Sequence, residues 1–346
     1  MDMRGKTVFV GLSGGVDSGV TAALLKQQGA NVTGVFIKGW YPPGMPCTWA
    51  ADRRDAMRVA ARLQIPFHTL DASDAYKAGV IDYLLKEYAE GRTPNPDVMC
   101  NREVKFGSFY EFAKERGADF IATGHYARIE HGDSEPRLMR GIDMAKDQSY
   151  FLWAVPTEAL SMTVFPLGSQ TKDTTRALAR KFNLPNAQKR DSQGICFLGS
   201  ISVEDFLKHE LGCTPGEAQD VNGSVIGTHE GATLYTLGER VRLTAATAGP
   251  WYVIAKDMRR NTITVAHTPG TTHTPESISL TSTNWLQRVP VGTYSAQYRY
   301  HGPVIRGTLS QEDRTFAPDT LSEPLASGQS LVIYDGDTCI GGGIMR

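Results

Sequence analysis

The sequence predicts an α/β protein in which a doubly wound parallel sheet is followed by two small β-rich domains, the last of them a β-barrel. Up to about residue 205, short runs of strand-forming residues alternate with longer runs of helical periodicity, a pattern typical of a parallel sheet covered by helices. Beyond residue 206 the helical periodicity fades, and short alternating strands appear between turn residues. We therefore expect domains over residues 1–205, 206–272 and 273–346.

The first domain contains strand candidates that are short apolar runs bounded by turn residues. They span residues 7–10, 31–37, 66–70 and 120–123. Between the first two runs, residues 17–28 are predicted to form a helix that Gly29 ends as a C-cap. A second helix is predicted over residues 51–63, because apolar residues recur there on one helical face. These residues are Ala56, Val59, Ala60 and Leu63.

The second half of the chain contains predicted hairpins, each with a turn sequence between two alternating runs. The paired runs are 251–255 with 262–266, 292–300 with the segment after His301-Gly302-Pro303, and 331–334 with 338–340 across Asp335-Gly336-Asp337. Short strands at this spacing are typical of small all-β domains.

Composition and charge limit the functions that the protein can have. The 346 residues include 36 Lys plus Arg and 37 Asp plus Glu, so the overall charge is close to neutral and any nucleic-acid surface must be a local patch. No run of about 18 apolar residues occurs, and the N-terminal residues lack a signal-like apolar segment, so we expect a cytoplasmic protein without membrane contact. Five scattered cysteines without a CxxC pair predict neither a disulfide framework nor a zinc site.

The chain leaves its first predicted strand through the segment GLSGGVDS, residues 11–18. A loop between a strand and a helix presents unpaired backbone N–H groups at the positive end of the helix dipole, which favours a phosphate. Glycine lets the backbone approach the anion, and the serines add hydroxyl donors. The segment lacks the lysine of a GxxxxGK[ST] loop and does not fit GxGxxG, so it predicts neither a Walker site nor a dinucleotide site. A plain glycine-rich turn is the alternative.

Two further segments place a cysteine among turn-forming residues and near basic side chains. In TPNPDVMCNREVKFG, residues 93–107, two prolines hold an extended turn before Cys100, and in RDSQGICFLG, residues 190–199, Cys196 follows a turn. The positive neighbours are Arg102 and Lys105 for the first cysteine and Lys189 and Arg190 for the second. Positive charge lowers the pKa of a thiol and increases its thiolate form. Either cysteine alone is more typical of a small buried residue, whereas the two together favour reactive thiols.

The glycine segment resembles the pyrophosphate-binding loop of the ATP pyrophosphatase superfamily, whose PP-loop domains split ATP into AMP and pyrophosphate. Six segments resemble, in order and roughly in spacing, those of the bacterial tRNA-specific 2-thiouridylase family, and this resemblance covers nearly the whole chain. They are GLSGGVDS, TPNPDVMCNREVKFG, ATGHYAR, KDQSYFLW, DSQGICFLG and CIGGG. The resemblance implies an enzyme that uses ATP to adenylate the C2 oxygen of the wobble uridine in tRNA and then replaces that oxygen with sulfur.

The resemblance also implies roles for individual residues. Cys196 would carry a persulfide supplied by a sulfur-relay protein or a cysteine desulfurase. Cys100 would be the nucleophile that either attacks the persulfide to release sulfide or resolves the transfer intermediate, and both routes leave a transient Cys100–Cys196 disulfide. Asp97 matches a residue that acts as acid or base near the target base, with an Asx-turn as the alternative role. Asp17 would hold a Mg²⁺ ion that bridges the phosphates of ATP.

Two sets of binding residues follow from the same resemblance. The set that would bind ATP is Gly11, Leu12, Ser13, Gly14, Gly15, Val16, Asp17, Ser18, Ile37 and Gly124. The set that would contact tRNA is Asn95, Pro96, Asp97, His125, Lys146, Asp147, Gln148, Arg299, Tyr300 and Gln329. An arginine beside an aromatic ring suits phosphate contact and base stacking. Structural roles are equally open for His125, for the cap at 146–148 and for the Arg-Tyr strand.

The chain departs from the family pattern in its central part. Glu239-Arg240-Val241-Arg242-Leu243 stands where the family has a Gln-Arg-Lys-Gly-Leu type of run.

Two other classes of protein compete with the leading interpretation. A small-molecule ligase of the same superfamily would not use paired cysteines or β-rich domains, and a non-catalytic nucleotide- or RNA-binding module would not need Asp17, Cys100 and Cys196.

Overall fold

A computed structural model describes residues 1–44, 49–132, 135–190, 202–244, 249–269 and 274–346 of the protein. The strands are β1 (Thr7–Gly11), β2 (Asn31–Lys38), β3 (Phe67–Asp71), β4 (Phe120–Ala122), β5 (Ala127–Glu130), β6 (Arg137–Arg140), β7 (Thr163–Val164), β8 (Gly216–Gln219), β9 (Val225–His229), β10 (Arg240–Val241), β11 (Trp251–Asp257), β12 (Thr262–Ala266), β13 (Ile278–Trp285), β14 (Gly292–Gln297), β15 (Val304–Ser310), β16 (Thr315–Pro318), β17 (Ser330–Asp335) and β18 (Thr338–Met345).

The α-helices are α1 (Val16–Gln27), α2 (Trp49–Leu63), α3 (Ser73–Tyr76), α4 (Asp82–Ala89), α5 (Pro96–Met99), α6 (Phe109–Lys114), α7 (Thr157–Ser161), α8 (Lys172–Lys181) and α9 (Val203–Leu211). The π-helical segments Lys77–Ile81 and Cys100–Ser108 join α3 to α4 and α5 to α6. Short 3₁₀ helices lie at Ser149–Leu152 and Ala232–Leu234. Along the described chain, no helix is both long and apolar enough to cross a membrane.

A parallel sheet of order β3-β2-β1-β4-β7 forms the centre of the first domain. Alternate residues of β1 pack on opposite faces of this sheet: Val8 and Val10 pack with the buried sides of α1 and α2, whereas Phe9 packs with the helical segments on the other face. Both faces are therefore covered, which confirms the predicted doubly wound arrangement.

The helices that follow β1 and β2 confirm the sequence periodicity. Helix α1 ends at Gln27, and Gly29 has the positive φ of +85° that suits a residue just beyond a helix. Helix α2 buries the residues that the pattern placed on one face. These are Ala56, Val59, Ala60 and Leu63.

The central β domain contains a sheet of order β10-β11-β12-β8-β9. The predicted hairpin is present as β11 and β12, which pair antiparallel through Val253 and Val265. A small core lies under this sheet and includes the side chains of Trp251 and Ile263.

The C-terminal strands close into a six-stranded antiparallel barrel, as predicted. The strand order is β13-β16-β15-β14-β17-β18, and β13 also pairs with β18, which completes the ring. The hairpin of β5 and β6, which the sequence analysis did not predict, extends the barrel sheet because β6 pairs with β18 at Met139 and Thr338. Trp153 and Tyr334 share one apolar cluster, so the first domain and the barrel also share a core.

Candidate functional site

The glycine loop runs from the end of β1 to the first turn of α1. Gly15 is the N-cap residue of α1, and no side chain caps this helix, so the backbone N–H groups of its first turn are available to an anion. Gly14 has φ of +79°, and a Cβ there would lie 2.4 Å from the carbonyl oxygen of Asp52. Only glycine fits this close approach. The hydroxyls of Ser13 and Ser18 lie 3.2 Å apart beside the same backbone.

Asp17 is bound by two residues that the sequence analysis did not identify. The Nζ atom of Lys172 lies 2.8 Å from both carboxylate oxygens of Asp17, and the hydroxyl of Tyr126 donates to one of them at 3.0 Å. Lys172 is the first residue of α8, and no motif in the sequence links it to residue 17. The loop therefore has a lysine beside it, but this lysine belongs to a helix that is distant from the loop in sequence.

Gly124 brings the end of the sheet against the start of α1. A Cβ at Gly124 would lie 2.8 Å from the backbone nitrogen of Ser18, so this glycine permits a close approach to the loop. Ile37 is the next-to-last residue of β2 and lies near Gly11: its Cδ1 atom is 3.7 Å from the place of a Cβ on that glycine. These positions suit a nucleotide site, and the ATP contacts themselves stay predictions.

The residues of the loop fit ATP and a magnesium ion. An uncapped twelve-residue helix with glycines before it can hold phosphate oxygens, and Lys172 adds a positive charge. The described residues contain no cluster of three or more metal-binding side chains. Mg²⁺ in such sites is bound by one or two carboxylates and by substrate phosphates, and Asp17 is the carboxylate of the loop that would hold it.

The segment before Cys100 is held by a helix cap. Asn95 precedes α5, and its Oδ1 atom accepts hydrogen bonds from the backbone N–H groups of Asp97 at 3.2 Å and Val98 at 3.4 Å. The capping oxygen is thus that of Asn95, whereas the sequence analysis considered Asp97 for an Asx-turn. Burial raises the pKa of Asp97 above its ordinary value, and the positive charge of Lys105 opposes this shift.

Cys100 is buried, with 4% of its surface exposed, and begins the π-helical segment. π-Helical turns are frequent at functional sites. The neighbouring Arg102 forms a 2.6 Å ion pair with Glu103, so its charge is shared with a carboxylate. Cys196 lies outside the described residues. Its predicted persulfide role and its predicted pairing with Cys100 therefore stay predictions. Among the described cysteines, Cys213 and Cys339 are free thiols.

The residues predicted to contact tRNA from the first domain have internal partners. His125 is buried against Phe106 and Phe165, and its Nδ1 atom lies 2.7 Å from the hydroxyl of Thr123. Burial holds the pKa of His125 well below its ordinary value, so the ring is neutral at physiological pH. This environment corresponds to the structural alternative for His125, and its tRNA contact stays a prediction.

The segment 146–148 also forms hydrogen bonds with other residues of the chain. Asp147 is buried and accepts hydrogen bonds from Arg140 at 3.1 Å and from both the N–H and the hydroxyl of Ser149. The Oε1 atom of Gln148 accepts from the backbone of Tyr126 at 3.1 Å. The backbone N–H of Lys146 donates to Asp143 at 2.9 Å. The described contacts are structural, and tRNA binding by these residues stays a prediction.

The C-terminal candidates lie where the barrel meets the other two domains. The guanidinium of Arg299 donates to the carbonyl oxygens of Leu237 and Pro324 at 3.2 and 3.1 Å, which joins the central domain to the barrel. The ring of Tyr300 packs against that of Phe151 in a tilted arrangement, with 4.4 Å between ring centroids. Burial, followed by the charges of Asp147 and Asp97, raises the pKa of Tyr300 to about 12.

Gln329 binds the segment that leads to Cys100. Its Nε2 atom donates to the carbonyl oxygen of Thr93 at 2.7 Å, and the Thr93 N–H donates to Ser327 at 2.9 Å. Gly328 has φ of +92°, and a Cβ there would lie 3.0 Å from the Thr93 backbone. The barrel therefore supports the turn that carries Asn95 and Asp97.

The fold and the site define an α/β nucleotide-binding protein of the ATP pyrophosphatase type, extended by a small β domain and a β-barrel. Family models match three consecutive parts of the chain. Residues 6–200 match a tRNA methyl transferase HUP domain, residues 204–267 a tRNA methyl transferase PRC-barrel domain, and residues 276–345 an aminomethyltransferase beta-barrel domain.

The chain is 41% identical to the tRNA-specific 2-thiouridylase MnmA of Halalkalibacterium halodurans, over 97% of this chain and 93% of that protein. It is 42% identical to the protein of the same name from Shouchella clausii, over 98% and 96%. The chain therefore belongs to the tRNA-specific 2-thiouridylase family. The predicted family is confirmed, and with it the predicted enzyme class, a tRNA-uridine 2-sulfurtransferase.

Solved structures give more distant likenesses. The U34-tRNA thiolase NcsA from Methanococcus maripaludis matches with a TM-score of 0.36 and 17% identity over 60% of this chain and 67% of that one. An NMN synthetase from Francisella tularensis matches with a TM-score of 0.36 and 16% identity, over 60% and 73%.

Proposed function

We propose that the protein catalyses ATP-dependent 2-thiolation of the wobble uridine of tRNA, with release of AMP and pyrophosphate. One observation carries the proposal: a short connection joins the nucleotide loop to the segment of Cys100. Gly124 lies against the backbone of Ser18 in the loop, and the next residue, His125, packs on Phe106, six residues after Cys100. An ATP site and a cysteine site in contact through two consecutive residues suit a reaction with two linked steps.

The first step would activate the base. The C2 oxygen of uridine is a poor leaving group, and its attack on the α-phosphorus of ATP converts it into the oxygen of a bound AMP while pyrophosphate leaves. The uncapped N–H groups at the start of α1 would hold the departing pyrophosphate. A magnesium ion at Asp17 would neutralise phosphate charge. Lys172, which pairs with Asp17, supplies a second positive charge beside the loop.

The second step would transfer sulfur. In one route the Cys100 thiolate attacks the persulfide on Cys196, which forms a Cys100–Cys196 disulfide and releases sulfide. The sulfide then adds to C2 and expels AMP. In the other route the terminal sulfur of the persulfide adds to C2 and expels AMP, which leaves the base joined to Cys196 through a disulfide. Cys100 then attacks the Cys196 sulfur, which forms the Cys100–Cys196 disulfide and releases the 2-thiouridine. In both routes a reductant opens the disulfide, and a sulfur-relay protein or cysteine desulfurase reloads Cys196.

The partly buried position of Asp97 supports a role in proton transfer near the target base. Burial raises the pKa of its carboxyl above the ordinary value, which is the direction that suits a group that gives and takes a proton. Two of the matching family models are named after tRNA methyl transferases. Methyl transfer does not require a pyrophosphate loop. Sulfur transfer accounts for the loop and for the paired cysteines together.

The test is mass spectrometry of tRNA nucleosides after incubation of the protein with tRNA, ATP, Mg²⁺ and a persulfide source. We expect 2-thiouridine from the unaltered protein and none from Cys100→Ser or Cys196→Ser, while ATP binding survives in both variants. Cys213→Ser is the matched control and keeps normal thiolation, because this free cysteine lies at the end of α9.

Three outcomes would contradict the proposal. Normal thiolation by either variant would exclude the two-cysteine mechanism. Pyrophosphate release that is driven by a metabolite and indifferent to tRNA would favour a small-molecule ligase. A methylated instead of a thiolated uridine would favour methyl transfer.

A further inference from the structure

Asn186 lies behind the glycine loop, on the side away from the predicted phosphates. We propose that Asn186 is a positioning residue that orients the backbone N–H groups of the loop toward the leaving pyrophosphate. The proposal rests on the ATP site of the proposed function and assigns a role to a residue outside every motif of the sequence analysis.

The contacts of Asn186 are with two consecutive carbonyl groups. Its Nδ2 atom donates to the carbonyl oxygen of Gly14 at 3.0 Å and to that of Gly15 at 2.9 Å. One side-chain amide therefore uses both of its hydrogens on the two glycine peptides. A hydrogen bond to a buried backbone carbonyl is a common way to satisfy that group, but two neighbouring carbonyls bound by one amide fix two successive peptide planes.

Peptide geometry converts these contacts into an orientation of donors. In a planar trans peptide the C=O and the following N–H point in opposite directions. The carbonyl of Gly14 points at Asn186, and the carbonyl of Gly15 accepts from Asn186, from the hydroxyl of Ser18 at 3.2 Å and from the N–H of Gly19 at 3.4 Å, so the N–H groups of Gly15 and Val16 point away from Asn186. The Gly15 N–H donates to the hydroxyl of Ser13 at 3.3 Å, whereas Val16 is the first residue of α1, and its N–H has no acceptor within the helix.

The hydrogen bonds from Asn186 matter for phosphate binding because the two loop residues that accept them are glycines. Gly14 and Gly15 have no side chain to restrict their backbone, and Gly14 adopts φ of +79°. A loop that is free to change conformation loses this freedom when it binds phosphate, which weakens binding. Asn186 orders the two peptides before the ligand arrives, so less freedom remains to be lost.

Asn186 is itself held in place. It is 7% exposed, and its backbone oxygen accepts a hydrogen bond from the N–H of Lys189 at 2.9 Å. The ammonium of Lys189 lies 2.9 Å from Asp52 and 2.8 Å from Asp55, which ties this segment to α2. Helix α2 is the element whose Asp52 carbonyl packs against Gly14.

The orientation of the side-chain amide follows from its surroundings. The Oδ1 atom of Asn186 is buried and has no hydrogen-bond partner among the described residues. Rotating the amide by a half turn would place this oxygen against two carbonyl oxygens, which would repel it. The two carbonyls therefore select the observed orientation, at the cost of one unsatisfied oxygen.

The test measures binding by calorimetry without tRNA, with ATP, inorganic pyrophosphate and adenosine as separate ligands. For Asn186→Ala we expect the Kd for ATP and for pyrophosphate to rise about 5- to 100-fold, since two hydrogen bonds that order the loop are lost. The Kd for adenosine stays unchanged, because the base and ribose do not depend on the loop peptides. Gln188→Ala, an exposed neighbour, is the matched control and binds all three ligands normally.

Asn186→Asp is a second variant of the same size, and it decides the question alone if the alanine variant does not fold. Its carboxylate would face the two carbonyls, repel them and add a negative charge behind the loop, so we expect a larger loss of pyrophosphate affinity than for alanine. In thiolation assays of the variants, KM for ATP rises while kcat at saturating ATP stays within about twofold, because the loop still reaches its geometry when filled.

Unchanged pyrophosphate affinity in the variants would overturn the proposal. An equal loss for adenosine, together with a lower melting temperature, would also overturn it, since it would indicate general loosening of the domain. Failure of the proposed function is distinguishable: a protein that binds ATP and pyrophosphate but never thiolates tRNA would contradict that function and leave the role of Asn186 intact.

Discussion

Asp147 joins the hairpin of β5 and β6 to the start of the Ser149–Leu152 helix. Its carboxylate accepts from Arg140, from the N–H of Gly141 and from Ser149, and the Arg140 guanidinium also lies 3.6 Å from the ring centre of Tyr334 in the barrel. The side chains of the Arg140–Asp147 pair are 9% and 5% exposed. A carboxylate with these partners stabilises the junction between the first domain and the barrel.

Asp147→Ala should lower the free energy of unfolding by about 3–5 kcal/mol, because it leaves the buried charge of Arg140 without its partner. The matched control is Asp82→Ala, which removes an exposed pair with Lys77 and should cost no more than about 1 kcal/mol. Urea unfolding of the three proteins measures both values. A variant with unchanged stability but weaker tRNA binding would show that Asp147 acts as a tRNA contact instead.

At the scale of elements, the nucleotide site depends on how closely β4 and α1 approach. The loop after β4 passes the N-terminus of α1 at Gly124, and Lys172 at the start of α8 reaches the same place. In a parallel sheet the carboxyl ends of neighbouring strands meet at one edge, which is where ligands bind. The order β1-β4-β7 therefore brings all three connections together.

Gly124→Ala should weaken ATP binding about 5- to 100-fold. The added Cβ would lie 2.8 Å from the Ser18 nitrogen and 3.0 Å from the Asp17 carbonyl carbon, so the first turn of α1 must move, and overpacking of this kind costs about 1–3 kcal/mol. Gly132→Ala is the control, since no atom lies within 4 Å of a Cβ at that position. Equal ATP affinity in the two variants would show that the approach of β4 is not required.

At the scale of the whole molecule, the barrel and the central domain support the turn of the first domain that carries Asn95 and Asp97. Gln329 and Ser327 bind the backbone of Thr93, the hydroxyl of Thr93 lies 3.2 Å from that of Thr236, and Arg299 joins the barrel to the central domain. Three domains therefore meet just before Asn95. An arrangement of this kind fixes the backbone of the turn before Asn95 relative to the other two domains.

Gln329→Ala should lower kcat for thiolation about tenfold and leave KM for ATP unchanged, because the turn before Cys100 loses a hydrogen bond that positions it. The control is Gln311→Ala, which removes a comparable bond to the carbonyl of Gln287 elsewhere in the barrel. Steady-state kinetics with separate titrations of ATP and tRNA measure the effect. An increase in KM for tRNA at constant kcat would instead favour direct tRNA contact by Gln329.

Local sequence patterns were sufficient to predict strands β1 to β4, helix α2 and the position of the glycine loop. The apolar runs predicted β1 to β4, and the helical face of α2 was predicted residue by residue, because periodicity reports which side of an element is buried. The hairpin of β5 and β6 was missed. Its residues pair with β18, about 200 positions later, and no local signal records such a partner.

By itself, the sequence determined the class of fold, the glycine loop at residues 11–18, the two cysteine segments and the family. Each of these depends on residue types at short spacing, which backbone geometry and chemistry constrain directly. Only the tertiary structure decided which groups surround the loop and the turn before Cys100: Lys172 on Asp17, Asn186 on Gly14, and Gln329 on Thr93. Their side chains come from elements that packing alone brings together, so their positions follow from the fold of the whole chain.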